Sequence, residues 1–249
     1  MKAMILAAGL GTRLRPLTND RPKALVEVAG HTLLEVTLRR LSSFGVRDVI
    51  INVHHFADRI LDYLKENDDF GMKIEISRED DLLLDTGGGL KKAAWFFLGD
   101  GPTGEPFLLH NVDVISSIDF ACMLQFHREN DALATLAVQQ RPTSRFLLFD
   151  QQNQLCGRQT GENGPEMVRF ARQSTALAFS GIHIISPCFL QNVTEQGVFS
   201  IITTYLRLAS EGRRIMAFRA DNYYWRDVGK PQNITEAAED IHSGLLSHW

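Results

Sequence analysis

The sequence predicts an α/β protein with a mixed, mostly parallel central sheet and helices on both of its faces. Two observations lead there. Apolar runs of strand length alternate with stretches of helical spacing through the first half of the chain. The runs themselves, such as Ala3 to Ala7 and Asp48 to Val53, are close to continuous in apolar residues, as in strands buried on both faces.

Taken in order, Ala3 to Ala7 reads as a buried strand. Thr32 is placed to cap a helix that carries Leu33, Leu34, Leu38, Leu41 and Phe44 at helical spacing. Asp48 to Val53 is a second strand, and Asp58 to Lys65 a helix with Ile60, Leu61 and Leu64 on one side. Lys73 to Ile76 is a short strand, and Gly89 to Phe97 reads as helix. Phe107 to Leu109 is a strand running into His110-Asn111-Val112-Asp113, and Asp119 to Arg128 is helical. The rhythm then changes. Ala132 to Val138, Phe146 to Phe149 and Ala176 to Ile185 are strands with little helix between them, which predicts an antiparallel or mixed extension of the first sheet. Val198 to Ala209 is a helix and Arg214 to Arg219 a strand. Pro231 to His242 is a closing helix with proline at its first position. The stretch Gly99 to Gly104 reads as a surface loop, not a linker. No internal repeat is present, so residues 1–249 are expected to form one domain, with a first part to about residue 130 and a second part after it.

A length of 249 residues allows a substantial core. The net charge of −4 gives no bulk attraction for nucleic acid, so a cationic phosphate site would have to be local. Cys122, Cys156 and Cys188 are far apart and form no CxxC pair, which predicts reduced thiols and no zinc site. The N-terminal apolar run stops at a glycine loop and reads as a core strand, not a signal peptide. No stretch has the length to span a membrane. A cytoplasmic location is expected.

The chemistry begins at Ala7-Ala8-Gly9-Leu10-Gly11-Thr12-Arg13, followed by Arg21-Pro22-Lys23. A strand runs straight into small residues whose N–H groups can turn toward an oxyanion. Arg13 adds a planar fork of donors and Lys23 a mobile point charge. A dinucleotide fingerprint would need glycine where Leu14 stands, and a P-loop would need Gly-Lys-Ser/Thr where Gly11-Thr12-Arg13 stands.

The segments LAAGLGTRLRPLT and RPKALVEVAG strongly resemble the signature of the sugar-1-phosphate nucleotidyltransferases, over some two dozen residues. The resemblance implies a Rossmann-like nucleotidyltransferase fold and attack of a sugar 1-phosphate on a nucleoside triphosphate. By it, Arg13 and Lys23 are catalytic, gripping the phosphates. Ala7, Ala8, Gly9, Gly11, Thr12 and Arg13 bind the nucleotide, and the two parts of the domain hold nucleotide and sugar. Attack on an α-phosphate builds negative charge on nonbridging and leaving oxygens. Fixed cations, amides and a metal are suited to that task.

Asp113 stands at the carboxyl end of a parallel strand, where open α/β sheets place ligands. Asp227 stands in Trp225-Arg226-Asp227-Val228-Gly229. Each alone is compatible with a turn or cap residue. Together they match the family's two metal-binding aspartates, which implies Mg2+ held by carboxylates, phosphate oxygens and water. Val112 departs from the glycine that many relatives have before the first aspartate, but the carboxylate is retained.

Leu84-Asp85-Thr86-Gly87-Gly88-Gly89 opens a helix and resembles the family's second nucleotide-binding loop, with Thr86, Gly87 and Gly88 on the nucleotide and Asp85 toward substrate choice. Its ETGGG-like form is similar to that of uridylyltransferases acting on N-acetylmuramate 1-phosphate. Guanylyltransferases for mannose or heptose 1-phosphate more often show GTGG or GTAG. Phe179-Ser180-Gly181-Ile182-His183 resembles the sugar-side segment, with Gly181 approaching a hydroxyl and Asn111 in reach of sugar or ribose. His54-His55 is expected to precede a helix, and Trp95, Trp225 and Trp249 to pack. The expected activity is uridylyl transfer to an amino-sugar 1-phosphate, with the guanylyltransferases as the alternative. A metal-dependent glycosyltransferase would not need Arg13 and Lys23, and a noncatalytic regulatory subunit would have lost them. The absence of a hexapeptide period suggests a stand-alone catalytic domain; the oligomeric state stays open.

Overall fold

A computed structural model describes residues 1–99, 104–161 and 163–244. The chain begins with β1 (Ala3–Leu6), short 3-10 turns at Thr12–Leu14 and Lys23–Leu25, and a small hairpin of β2 (Glu27–Val28) and β3 (His31–Thr32). There follow α1 (Leu33–Ser43), β4 (Asp48–Val53), α2 (Ala57–Glu66), β5 (Lys73–Arg78), α3 (Asp85–Lys92), α4 (Ala94–Leu98), β6 (Phe107–Asn111), β7 (Val114–Ser116) and α5 (Phe120–Glu129). The second half holds β8 (Ala134–Gln139), β9 (Arg145–Phe149), β10 (Leu155–Thr160), β11 (Glu166–Met167) and β12 (Thr175–Ile185). It ends with α6 (Cys188–Gln191), α7 (Ile201–Ser210), β13 (Ile215–Arg219), β14 (Trp225–Asp227) and α8 (Pro231–His242).

β1 lies between β4 and β6 and parallel to both, and β5 extends this block beyond β4. β12 joins β6 in antiparallel register, Ile182 opposite His110. The first half of β12 pairs with β9 instead, and β8 runs alongside both halves with a bulge between Phe179 and His183. β9, β10 and β11 continue antiparallel, whereas β13 is parallel to β8. The sheet is therefore mixed with a parallel centre, as the change of rhythm predicts.

Alternation along the central strands divides the core in two. Ala3, Ile5, Val49 and Ile51 face one layer, built from α1, α2, α5 and α8. Met4, Ile50 and Leu109 face the other, built from α3, α4, α6 and α7. A wholly buried side chain of this kind, such as Leu38, stabilises the fold by about 1.5–3 kcal/mol over exposure. Thr32 caps α1 by accepting from the Glu35 amide at 3.1 Å, and Asp119 caps α5 by accepting from Cys122 at 2.9 Å.

Several boundaries differ from expectation. The helix expected over 89–97 starts at Asp85 and breaks at Ala93, giving α3 and α4. α7 begins at Ile201 because the Ser200 hydroxyl caps it, accepting from the Ile202 amide. β7, β10, β11 and β14 are additional strands, most of them too short or too polar to show a period of two. Trp95 is 56% exposed, not packed, because it lies on the outer side of α4. Residues 100–103 of the expected surface loop, and Trp249, lie outside the described residues. Among the described residues no helix is long and apolar enough to cross a membrane.

Candidate active site

The glycine loop leaves β1 at its carboxyl end. The Ala7 amide donates to Asn52 Oδ1 at 2.8 Å, and Ala7 and Ala8 are buried, while Gly9 and Thr12 are exposed. Gly11 has φ +64, and a Cβ there would stand 2.9 Å from Thr18 Cγ2, so both conformation and space require glycine. The Thr18 hydroxyl and the Leu14 amide both donate to the Gly11 carbonyl, at 2.8 and 2.9 Å. The N–H groups of Gly9, Leu10, Gly11 and Thr12 enter none of the main-chain hydrogen bonds of this loop. They remain open to an anion. Arg13 is exposed on the first 3-10 turn, and Lys23 is half-buried at the second.

Asp113 follows β6, whose end is tied to β1 by the Val112 amide donating to Leu6 at 3.1 Å. Val112 itself is buried in the core, so its side chain points away from a ligand. β7 then pairs antiparallel with β14, Val114 opposite Asp227. This ribbon brings together two aspartates that are far apart in sequence. The Lys23 ammonium donates to Asp113 Oδ2. Asp227 Oδ1 accepts from the Gly229 amide at 2.6 Å. A Cβ on Gly229 would lie 2.7 Å from Asp227 Oδ1 and 2.9 Å from Arg13 Nη2, which puts the Arg13 guanidinium at the Asp227 turn. Arg13, Lys23, Asp113 and Asp227 thus converge on one place.

The donor set suits a hard divalent cation. Asp113 Oδ1 and Asp227 Oδ2 accept none of the hydrogen bonds made by their partner oxygens. Among the described residues no group of three or more His, Cys, Asp or Glu side chains is assembled. Two carboxylates completed by phosphate oxygens and water match magnesium, whereas a zinc site would need more protein ligands. His54 donates through Nδ1 to the Glu79 carbonyl at 2.5 Å and lies just before α2.

The second loop, where the family resemblance puts Thr86, Gly87 and Gly88 on the nucleotide, is tied to the chain just before α7. The Gly87 and Gly88 amides both donate to the Phe199 carbonyl, at 3.0 and 3.3 Å. A Cβ on Gly87 would lie 2.4 Å from the Phe199 ring, and one on Gly88 2.6 Å from the Gly197 carbonyl. The Thr86 hydroxyl accepts from the Ile201 amide at 3.0 Å. Asp85, exposed at φ 59, accepts from the Thr86 amide at 2.6 Å.

Two functional candidates escaped the sequence reading. Asn52, which receives the Ala7 amide, donates to Glu79 Oε1 at 2.7 Å, and Glu79 Oε2 accepts from the Leu84 amide at 2.8 Å. A buried polar chain therefore connects the first glycine loop to the residue before α3. Glu79 is 1% exposed, and a buried carboxylate of this kind is held by its donors. The available signal was a polar residue inside the apolar run Asp48 to Val53.

On the other side of the sheet centre, Gly181 sits in the bulge of β12 at φ +73. A Cβ there would lie 2.8 Å from Asn111 Nδ2. Asn111 Oδ1 is buried without a hydrogen-bond partner. A buried acceptor without a partner is one that a bound ligand could satisfy. Neighbouring His110 is held down to about 4 by burial and donates through Nδ1 to the Asn111 carbonyl at 2.8 Å in its neutral form.

A glycine loop with open amides, two carboxylates and two cations, gathered beyond the carboxyl ends of β1 and β6, make up the parts of an enzyme that transfers a nucleotidyl group between phosphates. The chain belongs to the nucleotidyl transferase family, whose profile matches residues 2–244. It is 37% identical to N-acetylmuramate alpha-1-phosphate uridylyltransferase of Caulobacter vibrioides over 237 residues, covering 92% of each chain. It is 30% identical to a mannose-1-phosphate guanyltransferase of Yarrowia lipolytica over 241 residues, but these span only 62% of that protein. The fold matches a crystal structure of HddC from Yersinia pseudotuberculosis complexed with GMP-PN, with a TM-score of 0.75 and 23% identity, over 96% of this chain and 99% of that one. The protein is a sugar-1-phosphate nucleotidyltransferase. Divalent-metal dependence is general in its family.

Proposed function

We propose that the enzyme transfers uridylyl from UTP to an amino-sugar 1-phosphate, with N-acetylmuramate 1-phosphate as the first candidate. The reading of the bond made is carried by the convergence of Arg13 and Lys23 on the Asp113–Asp227 pair. The reading of the substrate is supported by likeness to the Caulobacter enzyme along nearly the whole of both chains.

In the reaction a phosphate oxygen of the sugar 1-phosphate attacks the α-phosphorus of the triphosphate. A new P–O bond forms, the bond to the β-phosphate breaks, and pyrophosphate leaves with the electron pair. The open amides of Gly9 to Thr12 and the Arg13 fork hold the triphosphate and receive the charge of the departing pyrophosphate. Ala7 and Ala8, small and buried, let the nucleotide lie close to the strand end. Lys23 steadies the α-phosphate while remaining the counter-ion of Asp113. Mg2+ would be held by Asp113 and Asp227 and would supply Lewis-acid charge there when bound. Thr86, Gly87 and Gly88 serve the nucleotide through shape, because the two glycines seat α3 against Phe199 and so set where Thr86 and Asp85 stand. Asp85 contributes to substrate choice, and Asn111 and Gly181 face the sugar. One domain, with nucleotide and sugar parts meeting near residue 130, and a cytoplasmic setting complete the reading.

The GMP-PN complex of a similar fold keeps one rival open, guanylyl transfer to a mannose or heptose 1-phosphate. A pyrophosphate-release assay across UTP and GTP, each with N-acetylmuramate, mannose and heptose 1-phosphates and magnesium, separates the two. Highest kcat/KM is expected for UTP with the amino sugar. Preference for GTP rejects the proposal.

A further inference from the structure

Arg141 follows the end of β8 and reaches back over the sugar-side bulge. Its guanidinium carbon stands 3.6 Å from the ring centroid of Trp225, and its Nη2 donates to the Phe179 carbonyl at 2.7 Å. Trp225 in turn donates through Nε1 to the Ser180 carbonyl at 2.7 Å. Arg141 and Trp225 therefore clamp the two carbonyls that precede Gly181. Trp225 is not simply a packing residue, as expected from sequence. It is the platform under a cation.

The cation is incompletely used. Arg141 Nε is buried with no hydrogen-bond partner. No carboxylate forms an ion pair with Arg141 among the described residues. Burial pulls its pKa down from the usual arginine range, and Asp227, acting through space, partly opposes that shift. A half-buried guanidinium without a paired carboxylate is costly unless a ligand supplies the anion. Stacking on an aromatic ring fixes the plane of the fork, which is how arginine is preset for a phosphate.

The position tells which phosphate. Arg13 and Lys23 reach the carboxylates from the glycine loop, on the side assigned to the triphosphate. Arg141 approaches from the opposite part of the sheet, beside Gly181 and within electrostatic reach of Asp227. We propose that Arg141 is the cation that receives the phosphate of the incoming sugar 1-phosphate, aiming one of its oxygens at the α-phosphorus. This inference rests on the sugar-1-phosphate reading above and adds the residue that orients the nucleophile.

The rival role is purely positional, with Arg141 serving only to hold the Phe179 carbonyl. Arg141→Gln and Arg141→Lys separate the two. Glutamine keeps a donor for that carbonyl and loses the charge; lysine keeps charge and loses the planar fork. The assay uses whichever sugar 1-phosphate the wild type turns over, so refusal of N-acetylmuramate 1-phosphate would count against the substrate reading alone. Arg141→Gln is expected to raise KM for the sugar 1-phosphate at least ~10-fold while KM for the triphosphate stays within about twofold, since a charge-assisted contact of this kind is lost. Arg141→Lys should recover part of the loss. Unchanged KM for the sugar phosphate in Arg141→Gln, an equal rise in both KM values, or a lysine variant no better than the glutamine one would overturn the proposal.

Discussion

The Val228 amide donates to the Asp113 carbonyl at 2.9 Å. The bond extends the pairing of β14 with β7 and holds the backbone beside Asp227 against the backbone of Asp113. The spacing of the two carboxylates is thus a main-chain property. Replacing either side chain should leave that spacing intact.

It follows that Asp113→Asn, Asp227→Asn and Lys23→Ala should keep the fold and lose the chemistry. Turnover is expected to drop at least ~100-fold in each, as for removal of other charge-stabilising groups. Chelation of divalent metal should abolish wild-type turnover, and added magnesium should restore it. Pyrophosphate release read beside thermal melting checks this. Near-normal rates in a folded Lys23→Ala or Asp113→Asn enzyme would sink the assigned roles.

The link from Ala7 through Asn52 and Glu79 to Leu84 predicts a joint defect in stability and nucleotide binding. Glu79 accepts two hydrogen bonds. Glutamine can accept only through its oxygen, so one buried donor loses its partner. Glu79→Gln should cost about 1–3 kcal/mol in urea unfolding and raise KM for the triphosphate more than KM for the sugar phosphate. A variant with wild-type stability would show that the chain of bonds is idle.

Gly181 and Gly9 should respond in opposite ways to alanine. At Gly181, φ +73 and the 2.8 Å approach to Asn111 Nδ2 both oppose a side chain. The expected destabilisation is about 1–3 kcal/mol, with a raised KM for the sugar phosphate. Around Gly9 nothing lies within 4 Å of a built Cβ. Its alanine variant should melt within about 0.5 kcal/mol of the wild type. Equal melting of the two variants would contradict the strain assigned to the bulge.

Three buried histidines predict acid sensitivity of the fold. Burial pushes His110 and His127 down to about 4 and His183 down to about 3, from an ordinary 6.5. As pH falls below 6.5 the unfolded chain takes up these protons and the folded protein does not. Stability therefore decreases from about pH 6.5 toward pH 4, by up to about 1.4 kcal/mol per pH unit for each histidine. Urea midpoints at pH 7 and pH 5 measure it, and His127→Gln should lessen the difference. A midpoint that does not fall at pH 5 would refute the neutral buried state.

Much of the fold was legible locally. β1, β4 and β6 show as apolar runs because strands buried on both faces leave no room for polar residues. Thr32 and Pro231 mark helix starts because capping and proline geometry depend on neighbours a turn away. β14 was not legible, because three half-buried residues cannot display a period. The three glycines of α3 show in the sequence, but what they adjoin does not. In the folded chain Gly87 and Gly88 adjoin Phe199 and Gly197, and Gly89 the Asn52–Glu79 pair.

The sequence by itself determined the alternation of strand and helix and the glycine loop with Arg13 and Lys23, since each is written in residues close along the chain. Tertiary structure alone decided that Asp113 meets Asp227, that Asn52 and Glu79 join the two loops, and that Trp225 lies beneath Arg141. Those relations depend on β-pairing and on burial between distant segments. Such contacts are specified by the packing of the whole sheet, and no local pattern announces them.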